Sequence, residues 1–295
     1  MSRSNPEQQE SNPEARIPNP GSNAPIGVFD SGVGGLSVLR EIRRELPAED
    51  LIYVADSGYA PYGDRPEDYV RGRAIAIMEF LRAQHVKAVV VACNTATGIA
   101  VDALRARYIE PIVAIEPAVK PAAAQTRSKI VGVLATTQTL AGQKFARLVR
   151  THAGDVEVLT QACPGLVEQV EAAEFGSPST RVLVEKYVRP LLDKGADTIV
   201  LGCTHYPFLG DLIRDVAGPS VTVIDSAVPV ARELRRRLQA ASLLADDHHQ
   251  GSATFWTTGS TGHVGAVIAQ LWGGDVDVRA VPSVVEGEGQ SSQVR

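Results

Sequence analysis

The chain has 295 residues, of which 44% are hydrophobic and 21% charged, and its formal net charge is −5. That suits a globular protein with one large core or two modest ones, and it gives no reason to expect nucleic acid or an anionic membrane as a partner. No apolar run reaches the roughly 18 residues that a membrane helix needs. The three cysteines, Cys93, Cys163 and Cys203, include no CxxC pair, which argues against a zinc ribbon or a redox dithiol.

Residues 1–24 are rich in Pro, Asn, Ser and Glu and lack the apolar stretch of a signal peptide, so a disordered tail on a cytoplasmic protein is expected. Short apolar runs then alternate with longer amphipathic ones, the pattern of an α/β protein with mainly parallel sheets. The first four strands are predicted at Ile26–Phe29, Leu51–Ala55, Ala88–Ala92 and Ile112–Ile115. Between them, Leu36, Leu39, Ile42 and Leu46 mark one helical face, and Val70, Ala74, Ile77 and Leu81 another.

Four more strands, Val131–Leu134, Val156–Leu159, Ile199–Gly202 and Val221–Ile224, repeat the scheme. Gly27 and Gly132 are 105 residues apart, Val54 and Leu159 also 105, Cys93 and Cys203 110, and Ile115 and Ile224 109. Each third strand ends in cysteine followed by polar residues, Cys93-Asn94-Thr95 and Cys203-Thr204-His205. Two similar domains related by a pseudo-twofold repeat are therefore expected. Ligands of open α/β sheets sit beyond the carboxyl ends of strands, so each domain would bring one thiol to a shared cleft. A helix (Val230–Leu244), a strand (Ala253–Thr257), a second helix (Val264–Trp272) and a last strand (Val276–Val281) exceed the second repeat and are expected to return to the first domain. The expected division is 25–116 plus 227–281 for the first domain and 117–226 for the second, with a loose tail over 282–295.

Two thiols in equivalent places suit one kind of chemistry. Inverting a carbon centre by proton transfer needs one group to remove the proton and another to return it from the opposite face. An unperturbed cysteine has a pKa of about 8.5, so neighbours must move protons on and off it. Asp30 stands ready to assist Cys93, His205 to assist Cys203, and Glu171 is a further acid on that side. Taken alone, Asp30–Gly35 could be a turn and helix cap, and His205 a packed core histidine. Cys163, before Pro164, reads as structural, His248 and His249 as solvated, and Trp256 and Trp272 as core or interface. Ser31, Asn94, Thr95 and Thr204 offer donors to a substrate.

Together these residues closely resemble the glutamate racemase family. The resemblance is carried by Asp30-Ser31-Gly32-Val33-Gly34-Gly35, Pro61-Tyr62-Gly63-Asp64-Arg65, Cys93-Asn94-Thr95-Ala96 and Gly202-Cys203-Thr204-His205-Tyr206-Pro207, in that order, and extends from about Pro25 to Gly273. It implies interconversion of L- and D-glutamate without pyridoxal phosphate, metal or nucleotide, supply of D-glutamate for peptidoglycan, and a homodimer. It further implies that Cys93 and Cys203 exchange the proton and that Asp30, Ser31, Tyr62, Gly63, Asn94, Thr95, Thr204 and His205 line the substrate. The acidic helper after Ala162-Cys163-Pro164 falls best on Glu171, with Glu168 and Glu174 as competitors. Where the family has Gly-Thr-x-x-Thr, this chain has Ala135-Thr136-Thr137-Gln138-Thr139, which leaves the roles of Thr136 and Thr139 open. Three other readings stay on the page: aspartate racemase, a hydrolase using Cys203 and His205, and a binding protein on a racemase scaffold.

Overall fold

The computed structural model describes residues 21–282. The expected tails therefore fall outside the described residues, except for residues 21–24 and 282. Residues 21–24 form a turn in which Ala24 N donates to Gly21 O over 2.9 Å, and buried Lys87 donates to Ser22 O.

Among the described residues, ten strands lie in two all-parallel sheets. The first holds β1 (Ile26–Asp30), β2 (Leu51–Ala55), β3 (Ala88–Val91), β4 (Ile112–Ala114), β9 (Ala253–Thr257) and β10 (Val278–Ala280), in the order β10-β9-β2-β1-β3-β4. The second holds β5 (Ile130–Ala135), β6 (Glu157–Ala162), β7 (Thr198–Leu201) and β8 (Thr222–Ile224), in the order β6-β5-β7-β8. Both carry the order second-first-third-fourth, so the repeat in the sequence is a repeat of topology. Strands at the centre are apolar except at their ends, Asp30 in β1 and Thr198 in β7, because helices cover both faces of a parallel sheet. All of β1, β2 and β3 is buried, whereas β6, at an edge, is half exposed along its length.

Register makes the equivalences concrete. Gly27 pairs with Ile52 and Val89, and Gly132 pairs with Leu159 and Ile199. Val89 and Ile199 are thus equivalent, with the same separation as Cys93 and Cys203. Leu159, however, corresponds to Ile52 and not to Val54. The two-residue slip preserves which side chains face which helix layer, since strand side chains alternate with period two, and this is why the hydrophobic pattern could not reveal it.

The helix Leu36–Glu45 buries Leu36, Leu39 and Ile42 on one face, and Glu67–Ala83 buries Val70, Ala74, Ile77 and Leu81 as their spacing requires. The late helix runs over Ala227–Ala240, earlier at both ends than its apolar pattern suggests. It stops because Ser242 takes a left-handed φ of 56° and Leu243 N donates to Leu238 O over 2.9 Å. This is a Schellman-type ending built on serine instead of the usual glycine, and Leu243 folds back into the core. That helix packs on Leu36–Glu45, and β9 joins β2 in register from Leu51↔Ala253 to Ala55↔Thr257. Trp256 and Trp272 are half-buried, stacking edge-on with Phe80 and Phe255. His249 is hydrogen-bonded to Asp50 at 2.9 Å, while its neighbour His248 is exposed.

Candidate active site

Cys93 and Cys203 each stand two residues beyond a strand, β3 and β7, at the carboxyl end where a parallel sheet opens to its connecting loops. Cys93 is the N-cap of the helix Asn94–Arg107, its sulfur accepting from Ala96 N at 3.5 Å. Cys203 enters the short 3-10 turn Tyr206–Leu209 through Thr204 and His205. Both are buried, and both line a single narrow cleft together with Ser31, Tyr62, Gly63, Asn94, Thr95, Thr204 and His205. A wider concavity of about 820 Å³, bordered by Arg43, Trp272 and Arg279, holds none of these residues.

Behind each thiol runs a chain of hydrogen bonds. On the first side Cys93 Sγ donates to Ser31 Oγ at 3.7 Å, and Ser31 Oγ donates to Asp30 Oδ1 at 3.3 Å. Asp30 is wholly buried at the end of β1, where Oδ1 also accepts from Ser31 N and Oδ2 from Gly35 N, both at 2.7 Å. The Asp30–Gly35 segment is therefore a carboxylate-held turn and a thiol partner at once. On the second side Cys203 Sγ lies 3.7 Å from His205 Nδ1, and His205 Nε2 lies 2.7 Å from Glu171 Oε1. The two chains meet at Asp30 Oδ2, which accepts from Thr204 Oγ1 at 3.2 Å and lies 4.0 Å from His205 Nδ1.

Burial and charge set different protonation tendencies on the two sides. Burial, reinforced by the Asp30 carboxylate, pushes the Cys93 thiol well above its ordinary range. Burial also raises the Asp30 carboxyl, although His205 opposes it. For His205, burial disfavours the charge, but its bonds to Cys203 and Glu171 and the field of Asp30 outweigh that and hold the imidazole well above 6.5. Cys93 thus favours the protonated thiol, and His205 favours the charged imidazolium.

Two glycines make this proximity possible. A Cβ on Gly32 would collide with the Glu171 carboxylate, and one on Gly34 with the His205 ring. Glu171 Oε1 accepts from Val33 N at 2.7 Å, and Oε2 accepts from Ser57 Oγ at 3.3 Å, tying the second unit to the first. Ser37 Oγ donates across to Thr204 O at 2.9 Å. Of the three glutamates in the 168–174 stretch, Glu171 reaches His205. Asp30 and Glu171 stand behind the cleft wall and do not line it. Cys163 is buried and donates to Gln161 O at 3.3 Å, outside the cleft lining.

Three lining residues were not singled out as site residues from the sequence. Pro61 came only as part of a motif. Thr136, left open by the Ala135 replacement, lies 2.9 Å from Thr95 Oγ1 and is in turn bonded to Thr139. Val167 also lines the cleft, and no signal could have separated it from core, since it occupies an apolar position of the helix Leu166–Glu171.

Residues 26–234 match the Asp/Glu/Hydantoin racemase family. A glutamate racemase from Methylococcus capsulatus is 53% identical over 89% of this chain and 97% of its own. The chain belongs to the glutamate racemase family. Its fold agrees with that of a Bacillus anthracis glutamate racemase isoform at a TM-score of 0.81 and 33% identity, covering 89% of this chain and 98% of that one. An Escherichia coli glutamate racemase, solved in complex with L-glutamate and activator UDP-MurNAc-ala, superposes at 0.77 with 31% identity over 87% of this chain and 98% of its own. Like its relatives, the chain is an α/β racemase of two units. Among the described residues, no helix is long and apolar enough to cross a membrane.

Proposed function

We propose that this enzyme interconverts L- and D-glutamate by moving the Cα proton between Cys93 and Cys203, without an organic cofactor or metal. The observation that carries this reading is the arrival of one thiol from each sheet in the same cleft, each backed by its own acid/base chain. In one direction a Cys203 thiolate removes the proton from Cα, and the electron pair moves into the α-carboxylate as an enediolate. The Cys93 thiol then donates its proton to the opposite face. The reverse reaction exchanges the roles. Each thiolate is restored through its partner, Cys203 through His205 and Glu171, Cys93 through Ser31 and Asp30.

Substrate recognition follows from the lining. Asn94 Oδ1 is buried with no hydrogen-bond partner, an acceptor suited to the substrate ammonium. Hydroxyls of Ser31, Thr95, Thr136 and Thr204 and the start of the helix Asn94–Arg107 suit carboxylates. His205, with Tyr62 and Gly63, completes the set that surrounds glutamate, and Asp30, expected from the sequence to touch the substrate, acts from behind the wall through Ser31 and Thr204. A hydrolase built on Cys203 and His205 would leave the Cys93 chain without a task. The muramyl group in the activator named for the Escherichia coli relative supports a role in supplying D-glutamate for peptidoglycan, in the cytoplasm. We take residues 25–116 with 227–281, and 117–226, as the two domains, and a homodimer as the assembly.

The test is incubation with L-glutamate in D₂O, without pyridoxal phosphate, while circular dichroism and Cα deuteration are followed together. Decay of the optical signal to zero with deuterium at Cα is the expected result. Exchange with aspartate but not glutamate would move the assignment to the shorter substrate, and silence with both would sink it.

A further inference from the structure

The cleft wall beside Thr136 is a loop, residues 57–64, that contributes Pro61, Tyr62 and Gly63. A loop of this length with only two short 3-10 turns, Ser57–Tyr59 and Tyr62–Asp64, does not hold its own shape. What holds it lies beneath. Asp56, wholly buried at the carboxyl end of β2, accepts from Arg73 Nε at 3.0 Å and Arg73 Nη2 at 2.8 Å in a two-pronged pair. It also accepts from Thr258 Oγ1 at 2.8 Å and from the Tyr62 hydroxyl. Thr258 Oγ1 in turn accepts from Gly58 N at 3.1 Å. The Arg73 guanidinium lies 3.5 Å over the Tyr59 ring. The loop is therefore pinned at Gly58, Tyr59 and Tyr62 to one buried carboxylate and its partners.

Two features separate this from ordinary core stabilisation. A buried ion pair costs desolvation that a hydrophobic replacement avoids, so its stabilising value is weak grounds for its presence. Moreover, Thr258 follows β9, a strand the first sheet has and the second lacks. The second unit builds its corresponding wall from the helix Leu166–Glu171, which contributes Val167.

We propose that Asp56, Arg73 and Thr258 are positioning residues for glutamate binding, acting through the loop that carries Tyr62 and Gly63. This rests on the cleft being the glutamate site. The Tyr62 hydroxyl is committed to Asp56, so Tyr62 serves the cleft through its ring and backbone, whose place the ion pair fixes. Loss of the anchor weakens ground state and transition state alike, which raises KM while kcat changes little.

The experiment measures kcat, KM and melting temperature for the full-length enzyme and five variants. Tyr62→Phe and Thr258→Val, which cut one anchor each and leave the ion pair in place, are expected to raise KM for glutamate roughly tenfold with kcat within about threefold. Arg73→Lys, which keeps the charge but not the fork, is expected to raise KM less than Arg73→Gln does. The control is Glu49→Gln, at the buried Lys87–Glu49 pair (2.5 Å) beneath the amino ends of β2 and β3. It is expected to lower the melting temperature and leave KM unchanged. An active wild-type enzyme whose KM is unmoved by Tyr62→Phe, Thr258→Val and Arg73→Lys overturns the positioning role and leaves the glutamate reading standing. A KM rise of equal size in Glu49→Gln overturns it too, by tracing the effect to general loosening. An inactive wild-type enzyme takes down both.

Discussion

The two units share a strand order and a cysteine at the same strand end, yet the groups behind those cysteines differ. On the Cys93 side a hydroxyl stands between the thiol and a buried carboxyl, and burial favours the protonated forms of both. On the Cys203 side an imidazole stands between the thiol and Glu171, and their hydrogen bonds keep it charged despite burial. A duplicated scaffold gives two reaction faces. The different partners give those faces different surroundings, a thiol that favours its proton beside a buried carboxyl on one side and a charged imidazole beside the thiol on the other. Each unit also supplies part of the other's site. Glu171 binds Val33 N of the first unit, and Asp30 accepts from Thr204 of the second, so neither half is complete without its partner.

The hardest test of this comparison removes a thiol. Cys93→Ser and Cys203→Ser are each expected to lower racemisation by at least ~10³-fold, since both faces need a group that can gain and lose a proton near neutrality. A wild-type rate in either variant, followed by circular dichroism, would end the two-thiol account. Removing the acids behind the thiols should separate the sides. Glu171→Gln is expected to lower kcat about 10²-fold, because it strips the charged imidazole of the carboxylate bonded to Nε2. Its pH–rate profile should lose activity at lower pH on the alkaline side, as the His205 pKa falls. Asp30→Asn is expected to cost about tenfold, because Ser31 remains in place as the partner of Cys93. The opposite ranking would mean that the two sides carry reversed resting states.

The smallest expected effect is on stability. His205 is held above 6.5 in the folded protein, so the folded state binds that proton more tightly than the unfolded chain. The resulting stabilisation is fully present below about pH 6.5 and is lost as pH rises through the folded-state value. The stability gap between wild type and His205→Asn, measured by denaturant unfolding, should therefore be constant in mild acid and narrow towards alkaline pH. A gap that does not change with pH would mean that His205 is uncharged in the fold.

Much of this architecture was readable in the chain. The central strands and the internal repeat follow from apolar runs and their spacing, since burial on both faces of a parallel sheet leaves a hydrophobic mark, while the return of β9 and β10 to the first sheet was expected only because that stretch exceeds the second repeat. Strand ends and the late helix were less legible. The stop at Ser242 depends on one left-handed residue with no glycine to announce it, and the Leu159 register on a slip that hydrophobic alternation hides. In the site, Cys93, Cys203, Asp30 and His205 declared themselves by standing next to strand ends.

Their partners did not. Glu171 was one of three acids along a short stretch, and only the fold turns it towards His205 and Val33. Val167, Arg73 and Thr258 carried no local sign, and Thr136 only a motif whose glycine is replaced, because each acts on residues 17 to 202 positions distant or from an apolar helix position. The sequence by itself determined which segments bury their side chains and which reactive groups end the strands, because local pattern encodes burial and turn chemistry. The tertiary structure alone decided which of those groups meet, with what charge, and what holds the loop beside them. Proximity and desolvation belong to the packed molecule and to no segment within it.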